Sequence, residues 1–147
     1  MTAKLFETAQ GETTIDAQFT QAVPFIVRGF DVFSFSVSKT GEVQLYLTEV
    51  KDYASLVPTS KFSAFGVNRA STLRLNIQKA VEAVQKEISN GKIPRNVGEE
   101  IISQLDNAGY QIRLVGNSKT VFTKDAIQAI EAATGAKVTE VIKVEVK

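Results

Sequence analysis

Two carboxylates and one ammonium group, Asp31, Glu49 and Lys51, stand where the alternation of a β-hairpin calls for apolar side chains. The hairpin is residues 25–51, FIVRGFDVFSFSVSKTGEVQLYLTEVK, and its turn is Ser38-Lys39-Thr40-Gly41-Glu42. That turn fits a three-residue loop in which Gly41 takes the left-handed conformation and closes a bulge. With Ser38 facing Glu42, Val37 faces Val43, Phe35 faces Leu45, Phe33 faces Leu47, Asp31 faces Glu49 and Gly29 faces Lys51. Side chains alternate with period two, so the odd-numbered residues of both strands share one face, apolar near the turn and charged at its far end. Carboxylates placed directly opposite each other, with Cβ atoms roughly 5 Å apart, destabilise a strand pair. Lys51 offsets one charge, and a divalent cation taking an oxygen from each acid offsets more, since hard cations prefer carboxylate, carbonyl and water ligands. The row reads as a metal site at the end of a buried sheet face; the competing reading is a salt bridge at the frayed end of the sheet.

Gly29-Phe30-Asp31, followed by Glu49-Val50-Lys51 at the end of the next strand, resembles the signature of the PD-(D/E)xK nucleases, the restriction-endonuclease-like superfamily. Phe30 stands where the nominal motif has proline. The resemblance implies that Asp31 and Glu49 bind Mg²⁺ or Mn²⁺ with the Val50 carbonyl, and that Lys51 orients the attacking water and stabilises charge developing on the phosphate. It also implies a helical acid from the first helix, for which Glu12 is the choice and Glu7 the rival; a capping or surface role fits either as well.

A Glu-x-Lys triplet alone says little, because roughly one arises by chance in a chain of this size. A second copy, Glu145-Val146-Lys147, lies in KVTEVIKVEVK, where charged and apolar residues alternate cleanly as on a solvated strand face. At Glu49 the charges instead continue the apolar row Val43, Leu45, Leu47.

Absence of histidine and cysteine is the most discriminating feature of the composition. It excludes zinc sites of the usual ligands, histidine-based nucleases and ribonucleases, and serine or cysteine catalysis with a histidine base. Carboxylate, lysine and metal remain for phosphodiester chemistry, and the fold needs no oxidising compartment. No run approaches the ~20 apolar residues of a membrane span, and MTAKLFETAQGETT lacks the apolar core of a signal peptide, so the expectation is a soluble chain with no membrane partner. The net charge is only +1. Its distribution is uneven: no acid lies between Asp52 and Glu82, where Lys61, Arg69, Arg74 and Lys79 all fall. This segment is expected to approach a nucleic-acid backbone, or else to be a solvated helix face.

The 147 residues suffice for one domain with a proper core. Residues 3–20 read as a helix interrupted near Gly11, and Pro24 stops it. After the hairpin, 52–60 is a loop and 61–66 a short strand or helix approach. Leu73, Ile77, Ala80, Val81, Val84 and Ile88 mark an amphipathic helix from Asn68 or Ser71 to Ser89, closed by Asn90-Gly91. Val97–Asn107 is a second helix, Tyr110–Val115 with Thr120–Phe122 a strand, Thr123 the cap of a helix to Thr134, and Val138–Val146 a closing strand. The fold class is therefore α/β (α+β), a mixed central sheet flanked by helices. The order of elements matches the αβββαβ core of the superfamily.

The segment Phe62 to Asn76, with the pattern FxAFGxNRxxTLxxN, resembles the C-terminal toxin domains of bacterial contact-dependent growth inhibition systems. That resemblance implies delivery from a secreted cell-surface protein, action in the bacterial cytoplasm on nucleic acid, tRNA ahead of DNA, and a cognate immunity protein. A DNA endonuclease of the repair or resolvase kind and an inactive α/β binding module are the alternatives.

Overall fold

The computed structural model describes residues 30–144 together with a two-residue strand at 13–14. The chain builds a mixed five-stranded sheet whose strands lie side by side in chain order. They are β1 (Thr13–Thr14), β2 (Val32–Val37), β3 (Val43–Val50), β4 (Gln111–Gly116) and β5 (Lys137–Lys143). Neighbours β1, β2 and β3 run antiparallel, whereas β3, β4 and β5 run parallel. Between β3 and β4 come a 3₁₀ helix, η1 (Thr59–Phe65), and two helices, α1 (Ala70–Ser89) and α2 (Arg95–Asn107); α3 (Lys124–Thr134) joins β4 to β5. Parallel neighbours require such crossovers, so the class is α+β with a mixed sheet.

The β2–β3 hairpin has the register its turn dictates: Val37 pairs with Val43, Phe35 with Leu45 and Phe33 with Leu47. Gly41 sits at φ +88°, the Ser38 amide donates to the Glu42 carbonyl at 2.8 Å, and the Glu42 amide donates to Ser38 Oγ at 3.0 Å. One face of the sheet carries Phe33, Phe35, Leu45, Leu47, Ile112 and Leu114, all buried against Phe62 and Phe65 of η1, Ile101 of α2 and Ile130 of α3. Burial of these aliphatic and aromatic groups is the main favourable term in the fold. The other face is buried as well but more polar, with Ser34, Thr48 and Arg113 all nearly inaccessible. Arg113 lies 3.6 Å above the Tyr46 ring and pairs with Glu140 at 3.1 Å.

Two expectations fail locally. The sequence pattern puts Thr13 and Thr14 inside the first helix, but they pair with Phe35 and Ser34 of β2; β-branched threonines suit an extended edge. The rest of that expected helix, with Glu7 and Glu12, lies outside the described residues. Thr120–Phe122 is not a strand: only Val121 bridges, in parallel, to Leu56. Residues 61–66, for which the pattern allows a strand or a helix approach, belong to η1 and its Gly66 cap at φ +85°. A Cβ on Gly66 would stand 2.9 Å from Leu73 Cβ, so glycine answers both backbone and space. Asn76 of α1 is buried and donates to the Ala64 carbonyl at 3.0 Å. The 62–76 pattern thus encodes a packed corner between η1 and α1.

Candidate active site

Because β3, β4 and β5 are parallel, their carboxyl ends share one end of the sheet, and antiparallel β2 begins there. In open α/β sheets that end is where ligands bind. Glu49 and Val50 close β3, Gly116 closes β4, Lys143 closes β5, and Asp31 immediately precedes β2.

The regular ladder stops at Val32 opposite Thr48, one residue short of the expected Asp31–Glu49 pair. The two acids nevertheless meet. The Asp31 amide donates to Glu49 Oε1 at 3.2 Å, and Asp31 Oδ2 accepts from the Val50 amide at 2.8 Å. Lys51 Nζ lies 3.2 Å from Glu49 Oε2. Only 3 % of Glu49 is exposed, and the Lys51 side chain is 11 % exposed, whereas Asp31 is open to solvent. Burial pushes the Glu49 carboxyl up to about 7, and the charge of Asp31 adds to the rise; Lys51 and the Asp31 amide oppose it. Burial and the neighbouring Asp31 carboxylate thus both disfavour charge on Glu49.

A network behind the triad fixes the backbone that carries Lys51. The Lys51 amide donates to the Val115 carbonyl at 2.8 Å. Thr120 Oγ1 donates to the Tyr53 carbonyl at 2.6 Å, with the Lys51 carbonyl at 3.3 Å, and accepts from the Asn117 amide at 3.0 Å. Asn117 Nδ2 donates to Asp52 Oδ1 at 2.7 Å. The floor is aromatic. Lys51 Nζ stands 5.5 Å above the buried Phe62 ring, Phe122 lies 6.2 Å from Phe62, and Lys143 Nζ stands 5.4 Å above Phe122.

Asp31, Glu49, Val50 and Lys51 are thus brought together, while the expected basic residues are dispersed. Lys61 and Arg69 are exposed on η1 and at the start of α1. Lys79 is half-buried along α1. Arg74 lines a groove with Tyr110, Asp106 and Thr134. Tyr110 precedes β4 and lies four residues, or about 13 Å of strand, from Leu114, the partner of Glu49. Asn117, Thr120, Phe122 and Lys143 are site residues that the sequence pattern does not single out. Alternation in the closing strand assigns Lys143 to a solvated face, and its packing on Phe122 is a long-range contact without a local signal.

Two carboxylates with a neighbouring carbonyl suit a small hard cation, which commonly keeps most of its waters and takes one or two protein carboxylates. Among the described residues no group of three acidic, histidine or cysteine side chains stands ready to hold a metal. Among the described residues, no helix is long and apolar enough to cross a membrane. No protein-family model matches the chain, and neither does any curated protein or solved structure.

Proposed function

We propose that the chain is a metal-dependent phosphodiesterase, a nuclease with its reacting centre on Asp31, Glu49 and Lys51 and a restriction-endonuclease-like core. One observation carries this reading: Glu49 is buried against Asp31 at the carboxyl end of β3, with the Lys51 ammonium group beside it. Desolvating an acid beside another acid costs stability, and a fold keeps such a cost most readily where the site has work to do.

A bound Mg²⁺ or Mn²⁺ supplies Lewis-acid charge and a more acidic water. Asp31 and Glu49 would hold it with the Val50 carbonyl once Glu49 has released its proton. Lys51 sets an ammonium group where negative charge develops on the phosphate and hydrogen-bonds the attacking water. The Thr120 contacts hold the backbone on either side of Asp52, so Lys51 keeps its place when substrate arrives. On the resemblance of segment 62–76 rest a toxin role in the bacterial cytoplasm, tRNA ahead of DNA as substrate, and a cognate immunity protein as partner.

A second reading has an observation of its own. The Glu49–Lys51 ion pair and the two backbone contacts between 31 and 49–50 together lock the start of β2 to the end of β3, which is a structural role without chemistry. Incubation with total tRNA and with plasmid DNA, in Mg²⁺ or EDTA, for the wild type beside Lys51→Ala, decides between them. Cleavage that needs both the metal and Lys51 supports the nuclease. Folded protein that cuts neither substrate, or cuts equally well with Lys51→Ala or in EDTA, overturns it.

A further inference from the structure

The ladder that carries Glu49 continues across the sheet to a second lysine. Glu49, Leu114 and Val141 are partners on β3, β4 and β5 and share one side. Two residues on, the Lys51 amide donates to the Val115 carbonyl at 2.8 Å, Gly116 pairs with Lys143, and the Val144 amide donates to the Gly116 carbonyl at 2.8 Å. Period two therefore sets Lys51, Gly116 and Lys143 in one row on the Glu49 side, the two lysines on backbones roughly 10 Å apart.

Glycine leaves a gap in the middle of that row, and Thr120 fills it, its Cβ lying 2.5 Å from where a Cβ on Gly116 would stand. Each lysine leans on one of two neighbouring rings. Lys51 Nζ lies 5.5 Å from the centre of Phe62, Lys143 Nζ lies 5.4 Å from the centre of Phe122, and the ring centres are 6.2 Å apart. The Lys51 charge is shared with Glu49. Lys143 is exposed, and among the described residues no ion pair engages it. Of the acids on the flanking segments, Asp52 is engaged by Asn117, and Asp125 stands in the first turn of α3, where it complements the helix dipole.

We propose that Lys143 binds the phosphate next to the one being cut, so that the site takes a strand of linked phosphates rather than a lone phosphodiester. This rests on the nuclease reading and names the substrate class of the same site. Two cations in one row, two strands apart, match a substrate whose negative charge repeats along its length. A substrate with one phosphate needs only Lys51. Lysine acts there as a point charge that holds the backbone without reading sequence.

The test compares a short unstructured RNA, and the same strand as DNA, with bis(p-nitrophenyl) phosphate, all in Mg²⁺. Lys143→Met keeps an unbranched stem for Phe122 and withdraws the charge. It should raise KM for the strand about tenfold with kcat little changed, and flatten the log–log salt dependence of KM by ~0.7, the share of one phosphate. Turnover of the single diester should match wild type. Lys143→Arg should restore KM, and Lys137→Met, at the far end of β5, should behave as wild type. Matching melting temperatures establish that the variants are folded. Unchanged KM in Lys143→Met, an equal loss on the single diester, or no recovery in Lys143→Arg overturns the proposal. Strand binding in EDTA, read by fluorescence anisotropy, separates it from the nuclease reading. Binding that weakens in Lys143→Met while wild type cuts nothing sinks the nuclease and leaves the phosphate contact standing. Cleavage with binding insensitive to Lys143→Met does the reverse, and a wild type that neither binds nor cuts overturns both.

Discussion

The amide of Asp31 donates to Glu49 Oε1 at 3.2 Å, and the carboxylate of Asp31 accepts from the amide of the next residue, Val50, at 2.8 Å. Backbone and side chain are exchanged across the strand pair, so each acid is fixed by the other's chain segment while their charges repel. Removing one charge separates structure from chemistry. Glu49→Gln keeps an acceptor for the Asp31 amide and ends both repulsion and the burial of a charge. At pH 8 in EDTA it should melt above wild type, stabilised by roughly 1 to 3 kcal/mol. Mg²⁺ should raise the melting temperature of wild type but not of Glu49→Gln or Glu49→Ala, and cleavage should vanish in both.

Acidity follows the same pair. The Glu49 carboxyl rises in the folded state from 4.5 to about 7, so the folded protein binds a proton that the unfolded chain has lost between those values. Stability from this group is therefore fully present below about 4.5 and is lost as pH rises through 7, by roughly 3 kcal/mol at most. Urea unfolding in EDTA should give a lower free energy at pH 8 than at pH 5, and the difference should shrink in Glu49→Gln. Cation binding requires the carboxylate, so Mg²⁺ affinity should climb across the same interval with release of a proton, readable by calorimetry in two buffers of different ionisation enthalpy.

Lys51 distinguishes charge balance from metal holding. Lys51→Met retains most of the aliphatic packing over Phe62 and withdraws the cation 3.2 Å from Glu49 Oε2. Glu49 should then hold its proton to still higher pH, and the pH-dependent loss of stability should shift upward. Cleavage should fall by at least two orders of magnitude, while a Mg²⁺-dependent rise in melting temperature persists at high pH. Disappearance of that rise would make Lys51 part of the cation site.

The hairpin was legible because two local rules agreed: period-two alternation assigned the face, and Gly41 assigned the turn. Helix ends were legible for similar reasons, Thr123 Oγ1 accepting the Ala126 amide at 3.1 Å and Gly135 taking φ +77°. From those rules came Asp31, Glu49 and Lys51 as neighbours. The missing part is what local rules do not encode. Ser34, Thr48 and Arg113 have the alternation of a solvated face, yet are buried, since a sheet covered on both sides hides its polar positions too. Thr13–Thr14 pairs with a strand some twenty residues away in sequence, and Phe122 meets Phe62 across the intervening α1, α2 and β4 and meets Lys143 through the crossover of α3.

Gln104 shows the same limit on α2, where it resembles any surface glutamine. Pairing with β4 begins at Tyr46, so β3 projects beyond it at Val43 to Leu45. There Gln104 substitutes for a strand: Oε1 accepts from the Leu45 amide at 2.8 Å and Nε2 donates to the Val43 carbonyl at 2.7 Å. Gln104→Leu fills the space but orphans both backbone groups, a loss of about 2 kcal/mol, given roughly 1–3 for an unsatisfied buried group. Urea unfolding measures it, and Glu49 chemistry at the opposite end of β3 should be unaffected.

Thr120 is the strongest case for a residue that acts through another. Its hydroxyl closes the loop after β4 onto the backbone on both sides of Asp52, and it packs so tightly that a Cβ on Gly116 would stand 2.5 Å from Thr120 Cβ. Thr120→Val keeps that shape and deletes only the hydrogen bonds, leaving the Tyr53 carbonyl and the Asn117 amide without their partner. Stability should drop by about 1 to 2 kcal/mol. A purely structural role ends there. A role in placing Lys51 predicts in addition a fall in kcat with KM little changed, because misplacement harms the transition state more than substrate binding. Thr120→Ser, which restores the hydroxyl, should recover kcat even though it loses a packed methyl group; recovery of stability without kcat would rule the positioning role out.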